Sequence, residues 1–101
     1  MAEVIWSDNA LGDIEEIGAF IERDSIYYAE LLVQRVFENG NNLRDFPRRG
    51  RKVPERNDAN IREIQVNPYR IIYRVDPETV TVITVLHSRR NVRKILKNLL
   101  K

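Results

Sequence analysis

Between residues 60 and 90, apolar and β-branched residues fall in three short runs, Ile61 to Val66, Arg70 to Val75 and Val80 to Leu86. Asn67-Pro68 and Asp76-Pro77-Glu78 separate them. Short β-rich runs joined by two or three turn residues predict consecutive hairpins, here an antiparallel meander of three strands. The third run, from Thr79, is apolar or threonine throughout, which is the pattern of an interior strand.

Upstream the period changes. Glu3-Val-Ile-Trp6 reads as a short first strand. Ala10, Leu11, Ile14, Ile17, Phe20 and Ile21 then recur at helical spacing, with Asp13, Glu15, Glu16 and Glu22 mostly on the other side. Ser7 or Asp8 suits the N-cap, and Asp13 suits the positive end of the helix dipole. Asp24-Ser25 interrupts the pattern and caps a second helix with the core face Ala29, Leu32, Val33, Val36, Gly40 and Leu43, Phe37 beside it. Gly40 marks a weak point in that helix or a close approach by a neighbour. Phe46-Pro47 ends it. The short link predicts an antiparallel helical hairpin. Asn91 can cap a terminal helical segment, 91–101, whose stripe is Val92, Ile95, Leu96, Leu99 and Leu100. Such a stripe packs on its own chain or is covered by a partner.

Side chains alternate along a strand. Tyr69, Ile71, Tyr73 and Val75 therefore share one face, suited to the helices, and Arg70, Ile72 and Arg74 share the other. If helices cover one side only, the arginines line an open side. The segment 47–59 reads as a loop with two prolines, a glycine and five bases. A basic loop of that length beside a basic sheet can brace an anionic partner.

Composition narrows the chemistry. The 101 residues suit one domain, 1–101, with a modest core. The absence of cysteine excludes disulfides and thiol chemistry, and a single histidine, His87, argues against a zinc site. No cofactor is expected. No apolar run approaches membrane-spanning length and no cationic-then-apolar leader opens the chain, so a cytoplasmic location is the default. The net charge of +2 hides an asymmetry: residues 1–46 carry −7 and residues 47–101 carry +9. A bipolar molecule of this kind favours an acidic partner or a nucleic acid.

The order strand, helix, helix, basic loop, three strands, ending in His87-Ser-Arg-Arg90, resembles the RelE/ParE superfamily of type II toxin–antitoxin toxins, the ParE branch most closely. The residues that carry the resemblance are Trp6-Ser7 with Ala10, Asp13-Ile14 and Ile17; Leu43-Arg-Asp-Phe-Pro47 with Gly50; Arg62-Glu-Ile64; Tyr69-Arg-Ile-Ile-Tyr-Arg-Val75; and Val85-Leu-His-Ser-Arg-Arg90. It spans nearly the whole chain. It implies an α+β fold, β-α-α-β-β-β(-α), with a helical hairpin packed on one face of a small antiparallel sheet. It also implies a cognate antitoxin, ParD- or RelB-like, with an acidic or amphipathic C-terminal segment.

Two activities follow from that resemblance. ParE-like toxins inhibit DNA gyrase; RelE-like toxins enter the ribosome and cut mRNA. Metal-free RNA cleavage needs a base, an acid and cations at the developing phosphorane charge. For that chemistry the chain offers Arg62, Arg70, His87, Arg89 and Arg90. Yet Arg62, Glu63 and Gln65 stand where the cleaving branch shows a lysine pair, and no tyrosine or histidine follows Arg90. The gyrase reading is therefore preferred. The expected surface for target or antitoxin is Arg62, Arg70, Ile72, Arg74, His87, Arg89 and Arg90, with Ile95 and Leu96. His87 can titrate near neutrality, though a structural role at the strand end is the plainer reading. Tyr69 and Tyr73 read as core.

Overall fold

The computed structural model describes residues 1–100. Its elements run β1 (Glu3–Trp6), α1 (Asp8–Glu22), α2 (Ile26–Asn41), a single 3-10 turn (Asn42–Arg44), β2 (Arg51–Lys52), β3 (Ile61–Val66), β4 (Tyr69–Val75), β5 (Thr79–His87) and α3 (Val92–Leu99). Short oxygen side chains set the helix starts. Ser7 accepts from the Ala10 amide, Ser25 from Tyr28 and Asn91 from Lys94, each satisfying a donor that the first turn would leave orphaned.

The fold is α+β. The five strands lie in the order β1-β5-β4-β3-β2. The meander pairs as expected, Gln65 opposite Arg70 and Ile71 opposite Val85, with β5 in the interior. The sheet as a whole is mixed, not antiparallel. β1 runs parallel to β5, with Val4 beside Val80 and Trp6 beside Val82. Strands separated by a helical hairpin are free of the constraint that a tight turn imposes, and a parallel pair needs such a long crossover. The segment 47–59 is also not all loop, because Arg51 and Lys52 pair with Glu63 and Arg62 at the opposite edge.

One core lies between sheet and helical hairpin. Ala10, Ile14, Leu32, Val36 and Leu43 pack on Ile64, Ile71, Tyr73, Val80, Val82 and Val85. Trp6 lies against Phe37 with ring centroids 4.8 Å apart, and its indole N–H donates to Asn41 at 2.9 Å. Gly40 is where that ring approaches α2: a Cβ there would sit 2.3 Å from the ring. The close approach expected at this glycine is thus the indole.

The second face is not bare. A second core of Val53, Ile61, Ile72, Ile83, Leu86, Val92 and Leu96 covers it. Val53 reaches it from the basic segment, and Val92 and Leu96 reach it from α3. Ile72 is fully buried and Leu96 almost so, 0% and 1% exposed. The expectation of an open arginine-lined face is corrected here: four apolar sheet side chains on that side, Ile61, Ile72, Ile83 and Leu86, must leave water, and α3 closes over them. Lys101, counted among the polar residues of the terminal segment, lies outside the described residues.

One irregularity shapes β5. Ile72 pairs with Thr84 and Tyr73 with Val82, leaving Ile83 as an extra residue. Beyond it, α1 replaces β1 along the strand edge. The Ile83 carbonyl accepts from Ser7 Oγ and Asn9 Nδ2, and Asp13 Oδ2 accepts from the Thr84 hydroxyl and the Val85 amide.

Candidate functional site

The residues singled out in the sequence do not form one site. Arg70 is 5% exposed, in an ion cluster under the 53–56 segment. Its Nε donates to Glu63 Oε1 at 2.8 Å, and Nη2 contacts the same oxygen. Nη1 and Nη2 also form a two-pronged pair with Glu55, both bonds at 2.9 Å. Glu63 is buried and takes a further bond from Arg51 Nε at 2.7 Å. Hydrogen bonds donated to the glutamates, Glu55 foremost, hold Arg70 still more firmly charged than a free guanidinium. In turn Arg70 keeps the Glu55 carboxyl below its ordinary value. A guanidinium held by two carboxylates offers little field to an incoming phosphate.

The other arginines point elsewhere. Arg62 lies on the helix-side face, across from Tyr73, not with Arg70. Strand alternation places odd and even positions on opposite faces, and β3 runs out of phase with β4 in the expected grouping. Arg62 Nη1 donates to the Gly50 carbonyl at 2.8 Å and Nε to Ala59 O at 3.0 Å. Arg74 is exposed and paired with Asp76 at 3.0 Å. Exposed pairs of this kind contribute about 0–1 kcal/mol. His87 sits at the end of β5 with Tyr69 edge-on at 5.6 Å, and its Nδ1 accepts from the Arg89 amide at 3.1 Å. That bond closes the turn leading to exposed Arg89 and Arg90. Ile95 is half-buried beside Leu96, and both belong to the chain's own packing.

Other features were not singled out. Glu55 and Glu63 neutralise Arg70; the register made that legible, since Gln65 faces Arg70 and Glu63 stands on the diagonal. A patch of Phe20, Ile26, Tyr27 and Tyr28, all more than half exposed, surrounds the α1–α2 turn. A groove of about 850 Å3 opens between the turn at Phe46–Arg49 and the β4–β5 turn. Buried Tyr73 accepts the Gly50 amide at 3.0 Å. Burial pushes its phenol pKa up, against the pull of the Gly50 N–H and of nearby Arg62, Arg49 and Arg48. Among the described residues no three His, Cys, Asp or Glu side chains gather as a metal-ligand set, and no helix is long and apolar enough to cross a membrane.

The chain is similar to known toxins over most of its length. The profile of the ParE toxin of the type II toxin–antitoxin system parDE matches residues 4–92. Toxin RelE2 of Caulobacter vibrioides is 32% identical over 91 residues, covering 89% of this chain and 99% of its own. Toxin ParE3 of the same organism is 27% identical over 95 residues, 91% and 92% of the two chains. A chain of the chromosomal ParDE system from P. aeruginosa superposes with a TM-score of 0.71 at 18% identity, covering 86% of this chain and 96% of that one. A chain of the RelBE2 toxin–antitoxin complex from Mycobacterium tuberculosis superposes with a TM-score of 0.62 at 22% identity, covering 85% and 96%. The two structures share this fold.

Proposed function

The chain belongs to the ParE toxin family of type II toxin–antitoxin systems, and from that membership we propose that it inhibits DNA gyrase rather than cutting RNA, and is neutralised by a co-encoded antitoxin. The observation that carries the choice is the state of Arg70. Ribosome-dependent cleavage would ask this arginine to stabilise the charge that develops at phosphorus. Here its guanidinium is held by Glu63 and Glu55 beneath a covering segment. A buried carboxylate at Glu63 also repels a phosphate at the place where a cation is required. His87 ends β5, and Arg89 and Arg90 follow it on an exposed turn.

The antitoxin reading draws on the bipolar charge and on the patch at the helical hairpin. Phe20, Ile26, Tyr27 and Tyr28 are exposed large apolar side chains, next to Glu22, Asp24 and Glu30. Patches of this type mark protein contacts. An amphipathic helix with basic flanks, laid on α1 and α2, suits it. The two similar structures come from toxin–antitoxin systems, in keeping with such a partner.

The test is a pair of assays on the purified chain. Gyrase supercoiling should be blocked, and mRNA in translating ribosomes should stay intact. Cleavage of ribosome-bound mRNA that Arg70→Ala abolishes would overturn the reading. Co-expression with the neighbouring small open reading frame should restore growth; arrest persisting despite a stable complex counts against neutralisation by binding.

A further inference from the structure

The second sheet face is covered by α3 and Val53, and the groove beside Phe46 offers a seat that is open in the chain as it stands. The Phe46 carbonyl accepts from the Arg49 amide at 3.1 Å, closing a turn with Pro47 inside it. That turn holds the Phe46 ring out in water, 71% exposed. Across from it lie Val75 and Pro77, at the β4–β5 turn.

Guanidinium groups gather here. Arg48 donates to Ala59 O at 3.3 Å and to Asn60 Oδ1 at 2.8 Å, and Arg62 donates to the same Ala59 carbonyl. Arg49 reaches Asn39 Oδ1 at 3.5 Å. Among the described residues none of the three has a carboxylate within ion-pair distance, whereas Arg51, Arg70 and Arg74 all do. Their contacts to neutral oxygens fix their positions and leave their charge uncompensated. Two acids also line the groove, Asp45 and Asp76, and Asp76 is already paired with Arg74. The groove therefore combines an apolar lining with two guanidinium groups, Arg48 and Arg49, that no carboxylate neutralises.

We propose that this groove seats an extended segment of the antitoxin, one apolar side chain resting on Phe46, Pro47, Val75 and Pro77, with carboxylates over Arg48 and Arg49. This rests on the toxin–antitoxin reading above. Charge complementarity selects the occupant: the acidic half of this chain rejects an acidic tail, and Arg48 and Arg49 accept one.

The experiment is calorimetric titration of the full chain with the full-length antitoxin encoded beside it, using wild type, Phe46→Ala, Arg49→Glu and Tyr27→Asp. Phe46, Arg49 and Tyr27 are exposed, and unchanged circular dichroism melts confirm folding. Phe46→Ala and Arg49→Glu should each weaken binding about tenfold or more, as centrally placed contacts do. In the wild-type complex the Arg48, Arg49 and Asp76 amides should gain protection from hydrogen exchange. Groove variants that bind like wild type, while Tyr27→Asp weakens the complex, overturn the groove and leave the antitoxin reading standing. An antitoxin that fails to bind even wild type overturns both. A parallel titration with a single-stranded oligothymidine covers the nucleic-acid case: loss confined to that probe in the groove variants also overturns the proposal.

Discussion

Arg70 and Glu63 meet on the diagonal of the β3–β4 ladder, Nε to Oε1 at 2.8 Å, with both side chains buried. This contact, with Glu55 on the other side, turns the most suggestive arginine of the chain into a structural element. It ties β3 and β4 to the segment that covers them.

Breaking the pair from one side leaves a charge in a dry place. Arg70→Ala is expected to destabilise the fold by about 3–5 kcal/mol, because the buried Glu63 then keeps only the exposed Arg51 as a partner. Replacing both partners, Glu63→Leu with Arg70→Leu, should cost much less than the sum of the two single changes. Glu55 is then left alone but part-exposed, so water can hydrate it. Urea unfolding of the four proteins measures the coupling.

Glu55 brings a pH dependence. Its folded-state pKa is lowered, chiefly by the hydrogen bonds from Arg70. A lowered carboxyl contributes stability that is complete above its unfolded value, about 4.3 for glutamate, and that fades as pH falls through the folded value. Wild type should thus exceed Glu55→Gln in stability at pH 6, and the gap should narrow as pH drops below about 4.3. Denaturant midpoints across that range give the comparison; a gap that widens toward acid contradicts it.

Asp13 sits in the second turn of α1 and serves the sheet rather than the helix dipole. Its Oδ2 accepts the Val85 amide at 3.0 Å and the hydroxyl of buried Thr84 at 2.5 Å. Removing a charged acceptor from such donors costs about 2–3 kcal/mol. Asp13→Ala should show that loss in thermal melts. Asp13→Asn keeps an acceptor oxygen and should lose less than half as much.

Gly40 and Trp6 form a matched pair. Alanine at 40 is a better helix former by about 1 kcal/mol, yet its Cβ would fall 2.3 Å from the indole. The ring cannot simply swing away, being packed at a tilt against Phe37 and hydrogen-bonded to Asn41. Gly40→Ala should therefore be net destabilising, by about 1–3 kcal/mol. In a Trp6→Leu background the same change should be neutral or stabilising, read by differential scanning calorimetry.

The elements other than β2, their order and the β4 side chains that face the helices follow from the chain alone. Runs of Ile, Val and Tyr bounded by Asn67-Pro68 and Asp76-Pro77 place β3 to β5 within a residue or two of their observed ends. Of the capping candidates read, Ser7 or Asp8, Asp24-Ser25 and Asn91, the structure uses Ser7, Ser25 and Asn91, because capping and alternation are local effects, set within about four residues. What covers the other face was decided by distant segments. Val53, Val92 and Leu96 come from either side of the meander to bury Ile72, and Glu55 crosses fifteen positions to reach Arg70. The parallel placement of β1 and the extra residue Ile83 are of the same kind. An arginine on a strand reads identically whether it ends in water or between two carboxylates. Only the burial of apolar area by non-local segments settles which, and no periodicity records it.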